Sequence, residues 1–347
     1  MGGPGWRGLA VFWAVILLVV VVGGTVLQSL GPPETVTAAA PPPAAAPAPT
    51  PPPLPEAKAV VQPAPVMPAG PTPGRSTAGP IADPDPALLE PAQAGNGAML
   101  PRMDATGRAP MEAYARGFDR TTLRPRVGVI VAGIGAGAGS LDAIRALPDA
   151  VTLAVPANTP SPTRLLEETR IAGHEYLLAL PLDQAADHAL VAGATVAQTA
   201  DRLDWLLSRL AGYAGVTDGP DALHGGPSTG AEPMTTVLRT LVARGLFYVE
   251  ARPGVALPAV PGLWAADVDL VVDDVAVRSE IDAKLAQLEA LSRKRGWALG
   301  LATTPRPVTI DRINDWANGL PAKGLVLAPA SALARQQPAA TVTGATK

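Results

Sequence analysis

Three histidines, His174, His188 and His224, and no cysteine are available for metal or nucleophilic chemistry in this 347-residue chain. No thiolate nucleophile, disulfide or cysteine-held metal is therefore available, and a histidine-rich metal site is nearly excluded. The other candidates are polar residues at the ends of apolar runs. Asp183 follows LALPL, Glu250 and Arg252 follow LFYV, and Asp273 and Asp274 close DLVVDD. His224 sits in the loop ALHGGPS, and Arg306 lies between two prolines in TTPRP. Carboxylates and imidazoles in such places act as bases or metal ligands, and arginine holds anionic groups or hydroxyls. Plainer roles compete with these. Glu250 and Arg252 can pair with each other, and Asp273–Asp274 can cap the following turn. His174, just after Gly173, is expected to serve a helix C-terminus, and His188 to be solvated.

The strongest local signal is RVGVIVAGIGAGAGS, from Arg126 to Ser140. Val127, Val129 and Val131 alternate with Gly128, Ile130 and Ala132, a buried-strand pattern. Glycines then fall at 133, 135, 137 and 139. A bare loop beyond the carboxyl end of a strand is where α/β proteins place ligands. GIGAGA also matches the dinucleotide fingerprint G-x-G-x-x-A. The next strand ends in Val155-Pro156-Ala157-Asn158, however, without the acid that would hold a ribose. Nucleotide binding is therefore the weakest of the readings kept.

Strands and helices alternate through the region that must position these residues. Strands are predicted at Val151–Val155, Glu175–Leu182, Ala214–Thr217, Leu246–Glu250, Asp269–Asp273, Trp297–Ala302 and Gly324–Pro329. Leu203, Leu206, Leu207 and Leu210 mark one apolar helical face, and Ile281, Leu285 and Leu288 another. Ser140 and Thr309 are expected helix caps, and Gly296 a helix stop. Seven or more β-α repeats in about 210 residues favour an α/β barrel over an open sheet.

Composition divides the rest of the chain. No charge occurs from Gly8 to Pro33, and residues 9–30 are long enough to cross a bilayer. With Arg7 as the only flanking cation, a retained single-pass inner-membrane anchor is expected, residues 1–8 being cytoplasmic and the remainder periplasmic, with a cleaved signal peptide as the competing reading. Residues 31–98 read as a disordered Pro- and Ala-rich tether, 99–125 as a semi-ordered lead-in on the domain surface, 126–335 as the domain and 336–347 as a disordered tail. The net charge of −3 gives no sign of a nucleic-acid partner.

The β-α order, with LPRMDATGRAPMEAYARGFD, RPRVGVIVAGIG, AGHEYLLALPLD, DRLDWLLSRLAGYAGVTD, RGLFYVEAR and TTPRPVTIDRINDWANGL, resembles the divergent branch of the polysaccharide deacetylase superfamily. The resemblance spans roughly Leu100 to Leu333 and implies a distorted (β/α)7-type barrel. In that superfamily a divalent metal such as zinc activates water to remove acetyl groups from sugars. An acid pair after the first strand and histidines hold the metal. Here the acid pair falls on Ala132-Gly133, followed by Ile134-Gly135. One expected histidine falls on Ala179 and another on Thr304. His224 and Glu250, the latter where Asp is usual, are the surviving catalytic candidates. One histidine and one glutamate do not make a three-ligand site, so no metal or cofactor is expected unless non-standard ligands are used. The implied cleft would be built from Ala132, Gly133, Gly135, Asp183 and His224, with Glu250, Arg252, Thr304 and Arg306 completing it. Its expected occupant is a cell-envelope polysaccharide, a peptidoglycan fragment or an envelope protein. The alternatives are an active deacetylase with rearranged ligands and a purely structural docking module.

Overall fold

The computed structural model describes residues 79–92, 97–182, 188–191, 193–224 and 231–337, together with Trp13. Its strands are β1 (Leu89–Pro91), β2 (Met99–Pro101), β3 (Arg126–Val131), β4 (Thr152–Pro156), β5 (Tyr176–Ala179) and β6 (Gly215–Thr217). They continue as β7 (Phe247–Glu250), β8 (Trp264–Asp267), β9 (Leu270–Val271), β10 (Trp297–Ala302), β11 (Val326–Leu327) and β12 (Arg335–Gln336). The main sheet runs β12-β8-β7-β6-β5-β4-β3-β10-β9, with β11 also on β3. Its pairings are parallel except β12 with β8.

This sheet curls into a barrel-like α/β fold. Val268 N–H donates to Glu250 at 2.9 Å, while the next amide, Asp269, donates to Leu299 at 2.8 Å. One stretch, Trp264–Val272, thus bonds β7 with its first half and β10 with its second. Strand positions β3, β4, β5, β6, β7, the β8–β9 stretch and β10 surround the interior. Consecutive strands are neighbours, unlike the reversed order that creates a dinucleotide crevice.

The period-2 alternation of β3 sorts its side chains as the sequence predicts. Val127, Val129 and Val131 pack outward against the helices, and Ile130 and Ala132 inward. Helix Val196–Leu207 brings Leu203, Leu206 and Leu207 to the outer face, all fully buried. Truncating one such leucine to alanine costs about 2–5 kcal/mol.

Residues 79–92 are more ordered than their composition suggests. Leu88 is fully buried and β1 pairs antiparallel with β2, so the tether ends earlier than residue 98. The lead-in, expected on the surface, instead packs into the amino-terminal end of the barrel. Met111 and Tyr114 are buried in the interior cluster, and Tyr114 Oη accepts from Asp85 N–H at 2.8 Å. Helix Ala330–Leu333 fills the same end. Its Ser331 N–H donates to Glu175 Oε1 at 3.0 Å, and Ala330 N–H to Thr152 Oγ1 at 2.8 Å.

Three local expectations change. Ser140 is not a helix cap; its hydroxyl accepts from Gly135 N–H at 2.8 Å and donates to the Gly137 carbonyl at 2.8 Å, tying the glycine loop together. Thr309 lies inside helix Pro307–Gly319, whose N-cap is Arg306. Gln336, expected to open the disordered tail, instead joins Arg335 in β12 (Arg335–Gln336). Helix Arg278–Arg295 does stop at Gly296. Among the described residues no helix is long and apolar enough to cross a membrane; residues 9–30, apart from Trp13, lie outside them.

Candidate functional site

A cleft of about 540 Å3 opens at the carboxyl ends of the parallel strands. Gly133 comes from the end of β3, Ala179 from β5, Gly219 from just beyond β6, and Thr303 to Arg306 from beyond β10. Three positions singled out by sequence, Gly133, Ala179 and Thr304, therefore meet in one place. They carry a hydrogen, a methyl group and a hydroxyl. Ala132 lies fully buried in the interior beneath them. The exposed polar groups on the cleft wall are Asn158, Thr304 and Arg306, set among prolines 156, 181, 220 and 305.

The glycine loop is shaped from within. Gly133 has φ +73° and Gly135 φ +100°, and a Cβ on Gly135 would lie 2.6 Å from Thr159 Cγ2. Glycine is required there by backbone and by space. Gly135 consequently packs under the loop, against Thr159. Ile134 N–H donates to Ala154 O, Ala136 N–H to Gly133 O and Gly135 N–H to Ser140 Oγ. Those amides are already bonded within the protein, which removes them as phosphate ligands.

The rim from Thr303 to Arg306 is organised by Asp273, which is only 1% exposed. Its Oδ1 accepts from Thr303 N–H at 2.7 Å and from Thr303 Oγ1 at 3.1 Å. Its Oδ2 accepts from Arg306 Nη1 at 3.3 Å and Thr309 Oγ1 at 3.4 Å. Capping of its own turn is thus not its role. Asp274 does serve the turn that follows: its Oδ1 accepts from Val275 N–H at 3.1 Å, and its Oδ2 pairs with Lys284 at 3.0 Å.

Glu250 and Arg252 do not join the cleft. Alternation along β7 points Val249 and Ala251 inward, so Glu250 takes the outer side with Tyr248. Arg252 grips it bidentately, Nε to Oε1 at 2.7 Å and Nη2 to Oε2 at 2.9 Å. Of the two roles open to this pair, they take the internal one. Asp218, which the sequence reading passed over at the end of β6, lies beside them. It is 1% exposed, accepts from Ala251 N–H at 2.8 Å and stands 3.3 Å from Arg252 Nε. Burial, then the neighbouring Glu250, pushes its pKa up to about 8. Counting outward from inward-facing Thr217 would have placed it.

The other candidates fall elsewhere. His224 ends the short turn Pro220–His224, and its side chain and all of Asp183 lie outside the described residues. His174 is fully buried, its ring nitrogens each 2.9 Å from the carbonyls of Val151 and Ile144. The helix it serves is therefore Ser140–Ala146, not Thr163–Ile171, which precedes it in sequence. His188 is exposed and stacks on Trp205 at 3.9 Å.

A sequence model described as divergent polysaccharide deacetylase matches residues 129–334. The chain belongs to that family. Among solved structures, this divergent deacetylase domain is similar to an uncharacterized protein of Agrobacterium tumefaciens C58. Identity is 27% and the TM-score 0.59, over 68% of this chain and 99% of that one. The catalytic domain of a peptidoglycan N-acetylglucosamine deacetylase from Eubacterium rectale ATCC 33656 also aligns, at 10% identity and a TM-score of 0.40. That alignment covers 62% of this chain and 93% of the other. A family 4 carbohydrate esterase from Streptomyces lividans aligns at 18% identity and 0.38, covering 62% and 98%. No curated protein sequence matches.

The family chemistry raises the question of a metal. Among the described residues no three His, Cys, Asp or Glu side chains cluster to hold one. Gly133 and Ala179 offer no donor atom and Thr304 only a neutral hydroxyl, so the residues described in this divergent deacetylase cleft do not fit a catalytic zinc.

Proposed function

We propose that the domain binds an N-acetylated cell-envelope glycan, of the polysaccharide or peptidoglycan kind, in the strand-end cleft without deacetylating it. The observation that carries this reading is that Gly133, Ala179 and Thr304 line one cleft yet supply no metal-ligand set. Hydrolysis of an unactivated amide needs a polarised carbonyl and an activated water, and these groups furnish neither. Binding needs less. A concave, largely apolar wall with a few fixed polar groups suits a sugar, whose ring and acetyl methyl are apolar and whose hydroxyls seek Asn158, Thr304 and Arg306. Asp273 anchors the loop that presents the last two.

The uncharged stretch 9–30 would anchor the chain in the inner membrane, and the Pro-rich segment would let the domain reach the envelope polymer on the periplasmic side. Protease shaving of spheroplasts checks this: the domain is released from outside if the orientation is right, and protected if it is not.

Titration of the purified chain with chitooligosaccharides and peptidoglycan fragments tests the binding claim. Saturable binding that weakens about tenfold in Arg306→Ala is expected, with no acetate released. Absence of binding to every glycan rejects it.

A further inference from the structure

We propose a second ligand site at the opposite end of the barrel, one that takes a soluble phosphomonoester of about sugar-phosphate size. A pocket of about 490 Å3 lies there, at the amino-terminal ends of β3, β8 and β10 and beside β12. Four guanidinium groups converge on it: Arg120 from the lead-in, Arg126 from β3, Arg295 from the end of a helix and Arg335 from β12.

The pocket is built in place. Arg120 Nη2 donates to the Ser331 carbonyl at 2.9 Å and Arg126 Nη2 to the Arg120 carbonyl at 3.0 Å. Arg295 pairs with Asp269 at 2.6 Å. Arg295 and Arg335 lie 4.4 and 4.1 Å from the ring of Trp297, which orders both. Among the described residues the Arg335 guanidinium stacks on that ring and makes no hydrogen bond or close ion pair, so its N–H donors are open to a ligand.

Trp264 and Gln336 also line the pocket. Their Nε1 and Nε2 atoms are themselves buried and have no hydrogen-bond partner.

Charge selects the ligand. Four arginines face three nearby carboxyl groups, Asp267, Asp269 and, beside Arg120, Glu175, which leaves positive charge in excess. Burial and then the charges of Arg295 and Arg126 work against the Arg335 cation, and burial and then Arg126 against Arg120. A dianion relieves this mutual repulsion. Arginine forks and N–H donors arriving from several directions suit a tetrahedral, acceptor-only group such as phosphate better than a flat carboxylate. The space beyond one phosphate accommodates a sugar-sized remainder.

Calorimetric titration of the full chain in neutral detergent tests this, with inorganic phosphate, glucosamine 6-phosphate, N-acetylglucosamine and phosphatidylglycerol vesicles as probes. Glucosamine 6-phosphate is expected to bind more tightly than inorganic phosphate, more weakly as salt rises, and about tenfold more weakly in the Arg120→Gln/Arg335→Gln variant. Arg335 is exposed, so the single Arg335→Gln variant keeps the fold if the double one does not, and it too must weaken binding. Unchanged affinity in Arg335→Gln, equal binding of N-acetylglucosamine through this pocket, or arginine-dependent capture of vesicles without binding of the soluble phosphate would each overturn the proposal.

Discussion

The Cβ of Ala179 lies 3.4 Å from the point where a side chain on Gly219 would begin. These neighbours at the ends of β5 and β6 share one wall of the cleft, and neither carries a functional group. With Gly133 and Thr304 they line a cleft to which these four positions bring no carboxylate or imidazole. Such groups can be introduced. The triple variant Gly133→Asp, Ala179→His, Thr304→His is expected to bind one zinc per chain by equilibrium dialysis, at a modest stability cost from the left-handed backbone at 133. A folded triple variant that takes up no metal would mean that the three positions do not converge as described.

Asp273 ties the cleft rim to the barrel. Asp273→Ala leaves Thr303 N–H without its acceptor and frees Arg306, so glycan affinity should fall about tenfold. Hydrogen exchange at residues 303–306 should accelerate in the same variant. Slow exchange together with unchanged affinity would show that the loop holds itself.

The outer pair Glu250–Arg252 is structural in this account. Arg252→Ala leaves Glu250 buried without its cation and should destabilise the domain by about 3 kcal/mol, with glycan binding preserved in the folded fraction. Denaturant melts and a titration separate the two effects. Loss of binding at full stability would return Glu250 to the site.

Much of this was legible before folding. Alternation in RVGVIVA set Val127, Val129 and Val131 against Ile130 and Ala132, and the family resemblance put the acid pair on Ala132-Gly133 and two histidines on Ala179 and Thr304. What strand-end position did not reveal was side. Glu250 ends its strand as a catalytic acid would, yet period-2 counting sends it outward, where only the packed neighbours Asp218 and Arg252 explain a buried charge. The WAAD segment of β8 lacks the alternation of a strand, because its extended shape comes from bonds to β7 and β12. Leu88 in DPDPALLEP is buried by partners that lie far along the chain.

Asp218 gives the domain a pH signature. Its folded pKa of about 8 stands above the value of about 3.9 for an unfolded aspartate, so the folded state holds the extra proton between them. Its contribution is complete below about pH 4 and is lost as pH rises through 8, with a slope of up to about 1.4 kcal/mol per pH unit. Asp218→Asn keeps an acceptor for Ala251 N–H and cannot titrate. Wild type should lose stability between pH 5 and pH 8.5 relative to this variant; parallel profiles would place the proton elsewhere.

At the amino-terminal end, Glu175 accepts from Thr152 Oγ1 at 2.9 Å, Ser331 N–H at 3.0 Å and Arg116 N–H at 3.0 Å, and also from Ser331 Oγ. Glu175→Gln turns an NH2 toward donors and is expected to cost about 2–3 kcal/mol in urea melts. A neutral result would mean that the lead-in and helix Ala330–Leu333 dock without it.

The central claim is that the cleft holds a glycan without metal-dependent hydrolysis. The most direct test is a single assay on the zinc-equilibrated chain, measuring bound metal, bound chitooligosaccharide and released acetate together. The account predicts saturable glycan binding, no stoichiometric zinc and no acetate. One zinc per chain, with acetate release abolished by a chelator, would contradict it.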